Sequence, residues 1–268
     1  MAKIDDINKR HTEQIDSLMA SFERELRIVI TTANADIAAS LQKKLTITDG
    51  VIDGSRSNNR IIRNLAKQYQ KALDAAGYPA LIESLSESFS VQLPIIQDTI
   101  KFLSDQMDTP LKPMRFTQAD LDVLSTFQVN AGTTLQSVMD AATSQAMTQG
   151  LFSVGGLKFK DLVAVLAEKL ELSIPRAVSI ADTAMTTWYR TAADLQFQHI
   201  EEDLPQMKIR YRYGGPVDIK IRPFCGDLML AKKDYSREQI DNMDNDQLPN
   251  VFLTCGGYNC RHVWLMAT

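Results

Sequence analysis

The sequence predicts a mainly α protein, with a long N-terminal helix and a helical body followed by a small C-terminal α+β module. Three observations carry this. Apolar residues recur every three or four positions through residues 2–46, the period of one helix face. Strict two-residue alternation first occurs after Pro205. All three cysteines, Cys225, Cys255 and Cys260, lie in that last segment. These changes of pattern divide the chain into a long helix over 1–48, a helical body over 60–203 and a module over 205–268.

Ile4, Ile7, His11, Ile15, Leu18, Phe22, Leu26, Val29, Ala33, Ile37 and Leu41 form the first stripe, and no glycine or proline interrupts it. One unbroken helix here would be about 65 Å long, a length that suits a coiled coil or a strut against other subunits. A break near Thr31–Asn34, giving two ordinary helices, is the alternative. A polar loop follows from Thr48 to Asn59. Helix resumes at about Arg60 with Ile61, Leu65, Tyr69 and Leu73 on one face, and Gly77 stops it. Pro79 can open the next helix, and Pro94 divides it. Pro110 and Pro113 mark a loop. Thr117 with Asp120 reads as a capping box that opens a helix running to about Met147. Gly150 to Gly156 is a break, 159–170 is helical, and Ser173 with Pro175 starts a helix to about Glu202.

In the last segment, Lys208 to Tyr213 alternates basic with apolar or aromatic residues and predicts a half-buried strand. Gly214-Gly215-Pro216 is a turn. Val217–Ile221 reads as a second strand, Ser236–Ile240 as a short helix and Val251–Thr254 as a last strand. Trp264 and Phe224 read as core.

The composition is 44% hydrophobic and 23% charged, with net charge −4. That argues against a protein that coats nucleic acid over its whole surface. No apolar run approaches a membrane span, and the first residues hold no signal-peptide core, so the sequence predicts a chain made and used in a cytoplasm. There, clustered cysteines read as thiols or metal ligands. Cys225, Cys255, Cys260 and His262 make a Cys3His set, a usual complement for structural zinc. Buried thiols beside a hydrogen-bonded histidine, or a Cys225–Cys260 disulfide, are competing readings. Lys208, Arg210 and Arg212 could neutralise phosphates of DNA non-specifically, or form the charged solvent face of a hairpin. Arg222 and Arg261 read either as anion contacts or as partners of a carboxylate such as Asp218 or Asp227. Catalysis has little support. Beside His11, His199 and His262 no nucleophile is evident, Cys260 and His262 are poorly spaced for a dyad, and no phosphate loop or metalloprotease motif occurs.

Tyr211, Tyr213, Gly215, Asp218, Arg222-Pro223-Phe224-Cys225, the 235–240 segment and Gly256-Gly257-Tyr258-Asn259-Cys260-Arg261-His262-Val263-Trp264 together resemble the C-terminal region of phage minor head proteins of the Mu-F-like head-morphogenesis family. The resemblance covers about the last quarter of the chain. The family's Arg-Thr-Glu helix has Ile180-Ala181-Asp182-Thr183-Ala184 in the equivalent place, without the glutamate. It implies a virion structural protein of the head or head-to-tail (portal) region. Such a protein would be homo-oligomeric, assembled in the host cytoplasm, and would act through contacts with portal or capsid proteins. A DNA-delivery (ejection) protein at the portal is the alternative, and a metal- or thiol-dependent enzyme ranks below both.

Overall fold

The computed structural model describes residues 2–107, 109–152 and 157–267, and it is mainly helical. The first stripe forms one helix, α1 (Ala2–Lys44), with no break at Thr31–Asn34. Ile7, His11, Ile15, Phe22, Leu26, Val29, Ala33, Ile37 and Leu41 are buried along it. Met19 is buried where Leu18 was expected and Leu18 is only half-buried; the side chain of Ile4 lies outside the described residues.

A two-residue hairpin, β1 (Ile47–Thr48) and β2 (Val51–Ile52), leads to α2 (Arg56–Arg63) and α3 (Leu65–Ala75). The helix begins four residues earlier than expected because the Ser55 side chain accepts from the Asn58 amide and caps it. Gly77, at φ +99°, ends this pair as predicted. Next come α4 (Tyr78–Ser88), a 3-10 turn at Ser90–Gln92 and α5 (Leu93–Met107). Pro79 and Pro94 each stand in a first turn, where their missing amides cost nothing.

The capping box predicted at Thr117 is present. Thr117 N–H donates to Asp120 Oδ2 at 2.7 Å and Asp120 N–H to Thr117 Oγ1 at 3.2 Å, opening α6 (Gln118–Phe152). The expected break falls largely on 153–156, outside the described residues. α7 (Phe159–Glu171) and α8 (Ile174–Asp203) complete the helical part.

The C-terminal segment contains β3 (Arg210–Gly214), α9 (Pro223–Ala231), β4 (Asp234–Tyr235), α10 (Arg237–Asp241), α11 (Val251–Thr254) and β5 (Val263–Ala267). The strands form one antiparallel sheet in the order β4-β3-β5. Two strand expectations fail. Val217–Ile221 is a turn: Asp218 Oδ1 accepts from the Lys220 amide at 2.9 Å, and the Ile221 amide donates to Asp218 O. Local side-chain bonds win over alternation there, and Val217 and Ile219 stay exposed because no strand is available to cover them. Val251–Thr254 is a helical turn nucleated by Asn250, whose side chain accepts from the Leu253 amide. The missing strand is Val263–Ala267. It pairs with β3 over Arg210↔Ala267 to Gly214↔Val263 and puts Tyr213 opposite Trp264.

The chain forms two compact units, each assembled from separate segments. One combines 1–19, 87–130 and 181–268; the other combines 20–86 and 131–180. These units do not follow the divisions read from sequence pattern, because α1, α4, α6 and α8 each contribute to both. In the second unit, buried Asn58 holds the 46–58 loop together. Its Oδ1 accepts from the Thr46 amide, and its Nδ2 donates to Thr46 O and Asp53 O at 2.8–3.0 Å. No described helix is long and apolar enough to cross a membrane.

Candidate metal centre

Three of the four predicted ligands come together in the first unit. Cys225 sits in the first turn of α9, started by Pro223; Cys260 and His262 lead into β5. Cys225 Sγ lies 3.8 Å from Cys260 Sγ, and Cys260 Sγ lies 3.7 Å from His262 Nδ1. The three donor atoms are all within 4.8 Å of one another and all three residues are buried. A tetrahedral zinc with ordinary bond lengths would separate two sulfurs by about 3.8 Å and a sulfur and nitrogen by about 3.6 Å. The cluster therefore has the spacing and the soft donors that a metal of this kind requires.

Cys255 stays outside the set. Its backbone takes φ +52° and ψ −117°, an unusual conformation for a residue other than glycine. Its thiol points to the carbonyl of Phe252 at 4.0 Å, within its own turn. Burial, only partly offset by the positive charge of Arg190, pushes that thiol up to about 12. Of the expected Cys3His set, Cys225, Cys260 and His262 form the cluster that could hold a metal. The spacing could not announce this, because the direction of Cys255 depends on one backbone dihedral.

The environment of the two clustered sulfurs divides their proton unequally. The Cys225 thiol, hydrogen-bonded to Cys260, is raised, while Cys260 is lowered, first by that same bond and then by His262 and the charge of Arg190. The pair titrates as a unit, with the negative charge on Cys260. The Gly256 amide donates to Cys260 Sγ at 3.2 Å. Tyr213 Oη lies 3.3 Å from Cys225 Sγ and 3.6 Å from Cys260 Sγ, within hydrogen-bond reach of both, and burial holds its phenol well above its ordinary range. The ring of Tyr213 stacks parallel to His262, with centroids 5.2 Å apart. His262 Nε2 is buried without a hydrogen-bond partner.

Two arginines brace the site. Arg190, buried in α8, donates from Nε to His262 O at 3.0 Å, from Nη1 to Leu253 O at 3.1 Å and from Nη2 to Cys260 O. It thereby joins the helix to both ends of the loop that carries Cys260. Sequence reading had directed attention to 180–184 of the same helix and missed it. The available signal was its place in a stretch rich in small and aromatic residues, Trp188 to Phe197, in which Arg190 and Asp194 are the two charges. Arg222 donates to Gly256 O at 2.5 Å and to Gln247 Oε1 at 3.2 Å. Asn245 and Gln247, also missed, fix the facing loop: Asn245 Nδ2 donates to Cys255 O at 2.7 Å, and Gln247 Oε1 accepts from the Tyr258 amide.

The basic residues behave differently from one another. Arg212 makes a two-pronged bond to Asp234 across β3–β4, at 2.7 and 2.9 Å, while Lys208 and Arg210 are exposed. Arg261 pairs with Asp218 at 2.7 Å, one of the two carboxylates expected. Trp264 is core and donates to Val251 O; Phe224 is half-buried. His199 joins Asp120 at 2.9 Å and Glu202 at 3.4 Å, away from the cysteines in the sequence and in its contacts. Comparison with protein-family models, with curated proteins and with solved structures finds no match to this chain.

Proposed function

We propose that this chain is a phage head-assembly protein of the head or portal region, acting through protein–protein contacts, whose C-terminal module is fastened by zinc bound to Cys225, Cys260 and His262. The observation that supports it most is the meeting of the two motif segments. Arg222–Cys225 and Gly256–Trp264 carry the resemblance to minor head proteins, and they converge on one buried cluster. A shared spatial purpose explains why both segments would be kept together in a family. Zinc suits two thiolates and an imidazole, and a three-stranded module with a thin core gains stability from such a clip.

The DNA-delivery alternative draws less support, since Arg212 is engaged by Asp234 and leaves Lys208 and Arg210 as the exposed basic pair of this strand. Two measurements test the proposal. Mass spectrometry of purified particles from a strain carrying the gene should find the protein in the head fraction after DNA release; absence from particles would refute the assembly role, and loss with the DNA would transfer it to delivery. Elemental analysis of the reduced, purified chain should give zinc in wild type and Cys255→Ser but not in Cys260→Ser. A folded wild type without zinc would remove the metal.

A further inference from the structure

We infer that the metal centre keeps an exchangeable fourth position, open to a basic cleft, where an oxyanion binds as the last ligand. This rests on the zinc reading above and deepens it. Three observations support it. First, the structure supplies three protein donors, whereas closed structural zinc sites use four and sites with three admit an outside ligand. Cys255, the residue that could have closed the set, is buried beside Tyr213 and Arg190 but is not one of the three clustered donors. Tyr213 reaches the sulfurs through its hydroxyl, which is within hydrogen-bond distance of both and is not one of the clustered donors.

Second, Cys225, Cys260 and His262 all line one cleft of about 200 Å³, together with Lys220, Arg222, Asn259 and Arg261. The three residues are buried, yet each contributes to the wall of this cleft. Third, the charge of that cleft selects the ligand. Two thiolates and a neutral imidazole would balance a divalent ion. Asp218 pairs with Arg261 and also faces Lys220, one carboxylate against two cations, Arg222 adds a third positive charge, and no carboxylate residue lines the cleft itself among the described residues. Arg222 spends its visible bonds on Gly256 O and Gln247, both uncharged. An oxyanion, whether a carboxylate or a phosphate, meets both demands: oxygen for the metal and negative charge for the cations.

The test uses the full chain loaded with cobalt(II), which reports its ligands in the visible spectrum. Wild type should show thiolate-to-cobalt charge transfer and tetrahedral bands. Titration with acetate and, separately, inorganic phosphate should shift the tetrahedral bands saturably, and the anion giving the stronger shift identifies the source. Lys220→Ala should weaken the anion effect about tenfold while leaving the charge-transfer band in place. Cys255→Ser should change neither. Cobalt bands that ignore both anions, or that change ligand field in Cys255→Ser, would overturn the open position while leaving the metal site standing. Failure of wild type to take up cobalt at all would remove both readings together.

Discussion

Replacing Arg190 with methionine keeps most of the side-chain volume and removes every hydrogen bond the guanidinium makes. Three carbonyls, of Leu253, Cys260 and His262, then lose their charged donor inside the protein. A hydrogen bond to a charged group contributes about 1.5–3 kcal/mol net, so three would suggest roughly 4–9 kcal/mol. The buried guanidinium itself carries a desolvation cost of several kcal/mol that the variant recovers. The difference leaves an expected destabilisation of about 3–5 kcal/mol, close to what breaking a buried charged network costs. Both tryptophans, Trp188 and Trp264, belong to the same compact unit as Arg190. Urea unfolding followed by tryptophan fluorescence therefore reads the right transition. Arg190→Lys should fall between wild type and Arg190→Met, because a single ammonium cannot reach three divergent carbonyls at once. A loss below about 1 kcal/mol in Arg190→Met, with fluorescence unchanged in the folded state, would refute the idea that this residue anchors the loop.

Other expectations follow from the same geometry. Gly256→Ala places a methyl 2.2 Å from Cys225 Sγ and 3.2 Å from Cys260 Sγ, so it should lower metal affinity at least tenfold and destabilise by about 1–3 kcal/mol; isothermal titration with zinc checks this. The His199–Asp120 pair predicts a pH window. His199 is raised, chiefly by its bond to Asp120, so its contribution is present below about 6.5 and lost as pH climbs through the folded value. Asp120 is pulled up by burial but held below its usual range by His199 and Thr117, so its contribution is present above about 4 and lost as pH falls through the folded value. His199→Gln should flatten the decline in stability as pH rises above about 6.5, an effect of about 1 kcal/mol or less, and an unchanged profile would count against the pair. Asn58→Ala should cost about 2–4 kcal/mol in the other unit and speed hydrogen exchange at the Thr46 amide, which has no other acceptor offered to it in this loop.

The parts of the fold that were legible in sequence are those fixed within one or two turns. The stripe of α1, the Thr117–Asp120 box and the Ser236 cap, each rest on residues three or four apart. Short apolar runs were not legible. Val217–Ile221 and Val251–Thr254 alternate or branch as strands do, yet Asp218 and Asn250 redirect the backbone through single side-chain bonds. The Cys/His cluster was legible in the sequence, and three of its four expected members meet in one buried group. Arg190 was missed because its partners are backbone carbonyls, which have no identity in a sequence. The two compact units were missed because each is built from segments far apart along the chain.

The strand order β4-β3-β5 also sets an order of events. β3 joins β5 across about fifty intervening residues, a closure that local helix formation in α8 does not have to wait for. The helices can form on the microsecond scale, while the sheet needs a long loop to be searched and closed first. Cys225 and Cys260 meet only when that closure is made. The completed cluster thus depends on the last strand being in place.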